Sequence, residues 1–260
     1  MPGSAPLRVA VIGKGGVGKS MIAGTMARLI ARAGTPVLAL DSDPLPGLSL
    51  SLGSGPDPMP PPLVAAARRD ESGQWGWSDG ITAAVAAQRF ATDAPDGVRL
   101  LQRGKPGPAG SREILAASKA FWEVVHGLVD APEFRDWSLI GDLPAGPYQV
   151  ADDWAPYAAT YLVVAHPTMQ SAMTARRVAR LARLRTPGAT VRIVANRVRD
   201  DDDVRHVEKL VREPVFASVP ADDDVAAAER VGGAPIDDAP DCAAVAAIER
   251  LVAALAAERG

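Results

Sequence analysis

The octet Gly13-Lys14-Gly15-Gly16-Val17-Gly18-Lys19-Ser20 constrains this chain more than any other feature. It follows the apolar run Leu7 to Ile12 and opens an alanine-rich, helix-compatible stretch from Met21 to Ala33. That is the strand, loop and helix order of a phosphate-binding loop. Glycines let the backbone adopt positive φ and approach phosphate closely. Successive N–H groups and the N-terminus of the following helix then form a concavity for an anion. The expected cradle is Gly13, Gly15, Gly16, Val17, Gly18, Lys19, Ser20 and Met21. Lys19 is placed to reach the β- and γ-phosphates and the Ser20 hydroxyl to ligate Mg²⁺, which makes a triphosphate with Mg²⁺ the expected ligand pair.

Short apolar runs then alternate with longer helical patterns. Strands are expected at 35–40, 98–102, 137–141, 160–165, 190–195 and 214–219, with helices at 111–129, 169–185, 203–212 and 241–258. Apolar runs with little alternation suit strands buried on both faces. The expected fold is therefore α/β: one doubly wound, mostly parallel sheet with helices on both faces. The whole chain, 1–260, reads as one domain with a proline-rich variable segment at about 53–96.

Composition narrows the partners. The net charge of −3 gives no global electrostatic case for nucleic acid or an anionic membrane. The single cysteine, Cys242, excludes an intrachain disulfide and a cluster bridged by cysteines of one chain. Met-Pro-Gly-Ser-Ala-Pro at the start has neither a basic stretch nor a long apolar core, and no run of about 18 apolar residues occurs, so a cytoplasmic protein without a transmembrane segment is expected.

Candidate site residues fall at the carboxyl ends of the expected strands, where open α/β sheets bind ligands. Asp41-Ser42-Asp43-Pro44 follows the second strand, Asp142-Leu143-Pro144-Ala145-Gly146 the fourth, and Asn196-Arg197 the sixth. Two carboxylates one residue apart can share a Mg²⁺/phosphate site, and the same residues are also ordinary turn formers. Asp142 can hold a Mg²⁺-bound water, while Gly146 lets the backbone move toward a γ-phosphate. Asn196 carries the amide donor and acceptor that pair with adenine N6 and N7.

The string Lys-Gly-Gly-Val-Gly-Lys-Ser resembles the deviant Walker A signature of the SIMIBI-type P-loop ATPases. These include the chromosome-partitioning and septum-site (MinD/ParA-like) enzymes, the nitrogenase iron protein and metal-centre maturation ATPases. By motif order the resemblance covers residues 7 to about 230. It implies that Lys14 reaches across a nucleotide-dependent homodimer to the partner's phosphates. It implies too that Asp41 and Asp142, with Ser20, serve the metal, that Asp43 orients the attacking water, and that Asn196 and the loop at Pro220 contact the base. On this reading Lys14, Lys19 and Asp43 are catalytic. Within the family, Lys-Gly-Gly-Val-Gly-Lys-Ser, Asp-Ser-Asp-Pro, Asp-Leu-Pro-Ala-Gly, Asn-Arg-Val and the stretch Val219 to Gly232 are most similar to the nickel-insertion (CooC-like) accessory ATPases of carbon monoxide dehydrogenase. Those proteins carry a metal-binding Cys-x-Cys where this chain has Gly104-Lys105-Pro106-Gly107-Pro108-Ala109-Gly110-Ser111, and thiolates are needed for such a site.

An ATP-driven dimer switch that matures a client metalloenzyme is the function expected. The alternatives are a positioning ATPase acting on DNA or membrane, and a nucleotide-sensing module with little turnover. Arg176, Arg180 and Arg183 form one basic helical stripe, readable as a DNA-phosphate contact or as a solvated face. Residues 53–62 should form an extended loop, followed by Trp75 and Trp77 as a docking patch or core cover. His126, His166 and His206 show no metal-ligand spacing and read as structural. The last helix lacks the cationic face of a membrane anchor and is expected to pack on the sheet.

Overall fold

The computed structural model describes residues 5–43, 47–56, 67–69, 71–72, 75–77, 81–104 and 111–259. Residues 1–4, Pro44, the proline-rich run from position 57 and residues 105–110, on which some of the expectations above fall, lie outside the described residues. The strands are β1 (Arg8–Gly13), β2 (Val37–Asp41), β3 (Ala67–Arg69), β4 (Trp75–Trp77), β5 (Thr92–Asp93), β6 (Arg99–Gln102), β7 (Ser138–Asp142), β8 (Thr160–Ala165), β9 (Thr190–Val198) and β10 (Val215–Pro220). The helices are α1 (Lys19–Arg32), α2 (Leu48–Ser51), α3 (Ala83–Phe90), α4 (Ser111–Gly127), α5 (Tyr148–Ala151), α6 (Met169–Arg185), α7 (Asp201–Val211), α8 (Asp223–Val231), α9 (Pro235–Asp238) and α10 (Ala243–Ala257).

Eight strands form one sheet in the order β10-β9-β8-β1-β7-β2-β6-β5, parallel throughout except for the edge pair β5–β6. Side chains of a strand alternate between faces, and both faces here are apolar. Val9 and Val11 of β1 join a core built with Ile22 and Met26 of α1 and Ile248 and Leu251 of α10. Ala10 and Ile12 join the opposite core, with Phe121 and Val125 of α4 and Ala175, Val178 and Ala179 of α6. The continuous apolar runs of the sequence are thus strands covered on both sides, and the expected doubly wound sheet is present. The last helix packs on α1 and β10.

Local chemistry sets the helix ends. Asp200 caps α7 by accepting from the Asp203 N–H at 2.9 Å, and Asp201, Asp202 and Asp203 occupy its positive first turn. Thr82 caps α3, and Asp222 caps α8, which ends on Gly232 at φ 76°. Gly24 lies in the middle of α1 because α2 crosses there: a Cβ would sit 2.7 Å from the Ser51 Cβ. That close crossing brings α2 up to the phosphate loop.

Elements outside the expected pattern are the antiparallel edge β5, the hairpin β3–β4, and helices α2, α3, α5, α8 and α9. Each is short, and the sequence period that would reveal it spans barely two turns or two pleats. Trp75 belongs to the hairpin, paired in register with Arg69. Among the described residues no helix is long and apolar enough to cross a membrane.

Strand order places the candidate residues. β1 lies between β8 and β7, so the loop after Gly13 faces Asp142 on one side and His166 on the other. Asp41 is in direct register with Asp142, and Gln102 with Asp41. Residues more than 100 positions apart in sequence thereby share one edge of the sheet.

Candidate nucleotide site

Within the loop, Gly16 and Gly18 take left-handed φ of 78° and 85°. Gly18 caps α1, whose first turn contains no acidic residue, so the positive end of the helix dipole stays available to an anion. Lys19 is only 8% exposed, held inside the cradle. The Asn196 amide donates to the Val17 carbonyl at 2.8 Å from beneath, and a side chain at position 18 would collide with it. His166 approaches the same loop. Burial first, then the charge of Arg197, lowers its pKa.

The acidic side is more strongly perturbed. Ser20 donates to Asp142 Oδ2 at 2.5 Å, while Asp142 Oδ1 is buried without a partner. Asp41 is fully buried and accepts from the Asp43 N–H at 3.1 Å and the Leu48 N–H at 3.3 Å. Desolvation, and then repulsion by Asp142, pushes Asp41 well above the usual carboxylate range. Desolvation likewise raises Asp142 to about 6, against the pull of Ser20 and Lys19. Two buried acids in register, one with an orphaned oxygen beside a hydroxyl, fit a divalent cation, which relieves both desolvation and repulsion. Among the described residues no group of three His, Cys, Asp or Glu side chains could hold a metal alone. A Mg²⁺ bound here would draw on Ser20 and on oxygens of its ligand as well as the two acids, in keeping with its preference for oxygen ligands.

Lys14 behaves differently from Lys19. Its ammonium donates to the Gln170 side-chain oxygen at 2.6 Å, at the start of α6 and away from its own cradle. Beside the loop opens a cleft of about 340 Å³, in the range of small-molecule sites. Met21, Leu50, Arg197, Glu229, Gly232 and Pro235 are among its walls.

Gly13 through Met21, Asp41 and Asp142 are thus brought together, and Asp43 lies two residues past Asp41, whose carboxylate accepts from its N–H. Asn196 and Pro220 do not line the cleft. Asn196 is 1% exposed and turned into the loop, whereas Arg197, at φ 58°, forms the wall. Pro220 ends β10, and Pro235 lines the cleft instead. Arg176, Arg180 and Arg183 lie along a separate open groove with Arg212, and Arg183 is paired with Glu213 at 2.5 Å. His126 stacks on Trp122 with its ring nitrogen toward the Asp153 carbonyl, a structural contact. Sequence reasoning missed Gln170, Glu229, Pro235 and the buried Arg103. Glu229 falls in the stretch Val219 to Gly232 but had no role assigned, the others lie in no motif, and only the fold brings them near the loop.

A glycine-rich loop at the centre of a parallel sheet, feeding a helix N-terminus and facing buried acids, defines a nucleotide-binding domain of the P-loop class. The chain belongs to the CobQ/CobB/MinD/ParA nucleotide-binding domain family, whose pattern matches residues 9–236. It is 27% identical over 238 residues to an uncharacterized ATP-binding protein of Methanocaldococcus jannaschii, covering 87% of this chain and 90% of that one. It is 26% identical over 246 residues to the carbon monoxide dehydrogenase accessory protein CooC of Rhodospirillum rubrum, covering 91% and 92%. Among solved structures, a ParA family ATPase from Chlorobium tepidum matches with a TM-score of 0.72 at 21% identity, covering 95% of this chain and 98% of that one. The cell division ATPase MinD of Pyrococcus furiosus matches at 0.69 and 23%, with the same coverage. At these identities the two structures establish the shared fold.

Proposed function

We propose that this protein is a Mg²⁺-dependent ATPase that works as a nucleotide-closed homodimer and drives maturation or assembly of a client metalloenzyme. The observation that carries the dimer is the divergence of the two loop lysines. Lys19 is buried in its own cradle, while Lys14 is turned outward onto Gln170. A cation on the loop but outside its own site is placed to serve a facing copy.

In this reading the loop N–H groups and Lys19 bind the β- and γ-phosphates, and Ser20, Asp41 and Asp142 hold the metal directly or through its water. Mg²⁺, when bound, would supply charge neutralisation for the phosphates. Asp43, next to the acid pair, orients the attacking water, and Lys14 of each copy stabilises charge developing on the other's transferred phosphoryl group. The cleft walled by Arg197, Glu229 and Pro235 receives the nucleoside, with Asn196 supporting the loop from beneath and Pro220 at the end of β10 as the further base-side candidate.

CooC, by name an accessory protein of an enzyme, supports the client-maturation role. Cys242 is the chain's only cysteine and is buried at the start of α10, so two thiolates for a carried metal would have to come from elsewhere. The groove lined by Arg176, Arg180, Arg183 and Arg212 favours a second reading, a positioning ATPase that holds DNA phosphates. ATP-dependent DNA retention that fades with salt distinguishes it.

Lys14→Ala tests the first reading. ATP affinity should stay within about threefold, because the outward lysine adds nothing to its own site, whereas hydrolysis should fall about a hundredfold or more. ATP-dependent dimerisation should be lost as well. Wild-type turnover and dimerisation in this variant reject the trans-acting lysine.

A further inference from the structure

Arg197 sits where β9 breaks step with β10. Val219 pairs with Asn196 and Pro220 with Val198, so Arg197 is skipped in the ladder. It takes a left-handed φ of 58°, a conformation a non-glycine residue holds where its surroundings impose it. A bulge of this kind re-aims a side chain. Asn196 turns beneath the phosphate loop, where it is 1% exposed and its amide donates to the Val17 carbonyl, while Arg197 lines the cleft.

Facing it is Glu229, in the last turn of α8 before Gly232 ends the helix. Arg197 Nη2 meets Glu229 Oε2 at 3.5 Å, and both side chains are more than a third exposed. An exposed pair adds little to stability, so folding alone gives no reason for a strained backbone that presents one. Few other groups in the cleft could read a nucleoside. Of the hydrogen-bonding side chains along its walls, Lys19 and Ser20 belong to the phosphate cradle, and Ser51 donates to the Gly47 carbonyl at 3.3 Å. Arg197 and Glu229 remain, with Met21, Leu50 and Pro235 as apolar surface for a ring. A donor beside an acceptor matches adenine, whose N7 accepts next to an N6 amino group that donates. Guanine and hypoxanthine present acceptors at both N7 and O6, and O6 would meet the Glu229 carboxylate oxygen to oxygen.

We propose that Arg197 and Glu229 together read the adenine ring, the guanidinium donating to N7 and the carboxylate accepting from the N6 amino group. Asn196 then supports the phosphate loop and does not read the base. This rests on the ATPase reading above, and deepens it by assigning the base specificity of its cleft to a pair outside the recognised motifs.

Calorimetric titration of the full-length protein with Mg²⁺ and nucleoside diphosphates, which bind without turnover, tests it. The wild type should bind ADP about ten- to a hundredfold more tightly than IDP, the worth of one good base contact. It should bind 7-deaza-ADP, which lacks only the N7 acceptor, about tenfold more weakly than ADP. Glu229→Gln, whose amide can offer either a donor or an acceptor, should bring IDP within about threefold of ADP. Arg197→Gly, which suits the left-handed backbone, should bind ADP and 7-deaza-ADP within about twofold of each other. Pyrophosphate affinity should stay within about twofold of the wild type in both variants, because the loop that holds it is untouched. An undiminished preference for ADP in Glu229→Gln overturns the proposal and leaves the ATPase reading intact. So does equal wild-type affinity for ADP and IDP or for ADP and 7-deaza-ADP, pyrophosphate binding that falls in step with ADP, or a levelling of ADP and IDP by Asn196→Ala alone. Wild-type preference for IDP or GDP, or no binding of ADP, overturns that reading and this one together. Should Arg197→Gly fail to fold, the wild-type comparison of ADP with 7-deaza-ADP still decides the N7 contact.

Discussion

Asp142→Asn should stabilise the nucleotide-free protein while disabling its chemistry. Asp142 is buried, and its carboxyl is raised from 3.8 to about 6 by desolvation. A group whose folded pKa lies above its unfolded one binds more protons in the folded state, so stability falls as pH rises through that window. Two units correspond to about 3 kcal/mol against the folded state at pH 7.5. At pH 5 the folded carboxyl is mostly protonated and the penalty shrinks by about half. The repulsion that Asp142 exerts on Asp41 adds in the same direction. Asparagine keeps the oxygen that accepts from Ser20 and removes the charge. In urea unfolding without Mg²⁺ or nucleotide, the variant should exceed the wild type by about 3 kcal/mol at pH 7.5 and by about half that at pH 5. With Mg²⁺ and ATP the order should reverse, because only the wild type gains from the ligands. A variant no more stable than the wild type at pH 7.5, or an advantage that does not shrink in acid, refutes the account of the acid pair.

Two further outcomes follow from the loop. Gly18→Ala places a side chain at φ 85° against the Asn196 amide, which should destabilise the fold by about 2 kcal/mol and weaken ATP binding about tenfold. Calorimetric titration showing wild-type affinity contradicts it. Gln170→Ala removes the acceptor that holds Lys14 outward, a hydrogen bond of about 1 kcal/mol. Both copies release one such bond on closure, so ATP-dependent dimers should form at roughly thirtyfold lower protein concentration by sedimentation, and an unchanged or weaker dimer speaks against the outward lysine as a restraint on closure.

The acid pair shows a trade between stability and function. Two carboxylates side by side in a desolvated place oppose folding, and the chain tolerates them because Mg²⁺ and phosphate would complete the site. Arg28 shows the purely structural counterpart: it is 2% exposed and bonded to Asp96, Asp237 and the Leu52 carbonyl, with both acids in place before any ligand arrives.

Much of the fold was legible because parallel strands covered on both faces leave continuous apolar runs, and because Gly13 to Ser20 carries its geometry in its residue types. The seven parallel strands, α1, α4, α6, α7 and α10 all follow from such local signals. The carboxylates and the two loop lysines were legible for the same reason. The sequence could not show that Asp41 and Asp142 share a register, since that depends on β7 inserting between β1 and β2. Nor could it show that Asn196 turns beneath the loop or that Gln170 holds Lys14. Local pattern determines which residue types can bind phosphate and metal. Strand order and helix packing alone decide which distant side chains lose their water together, and it is that shared desolvation which sets their charge and direction.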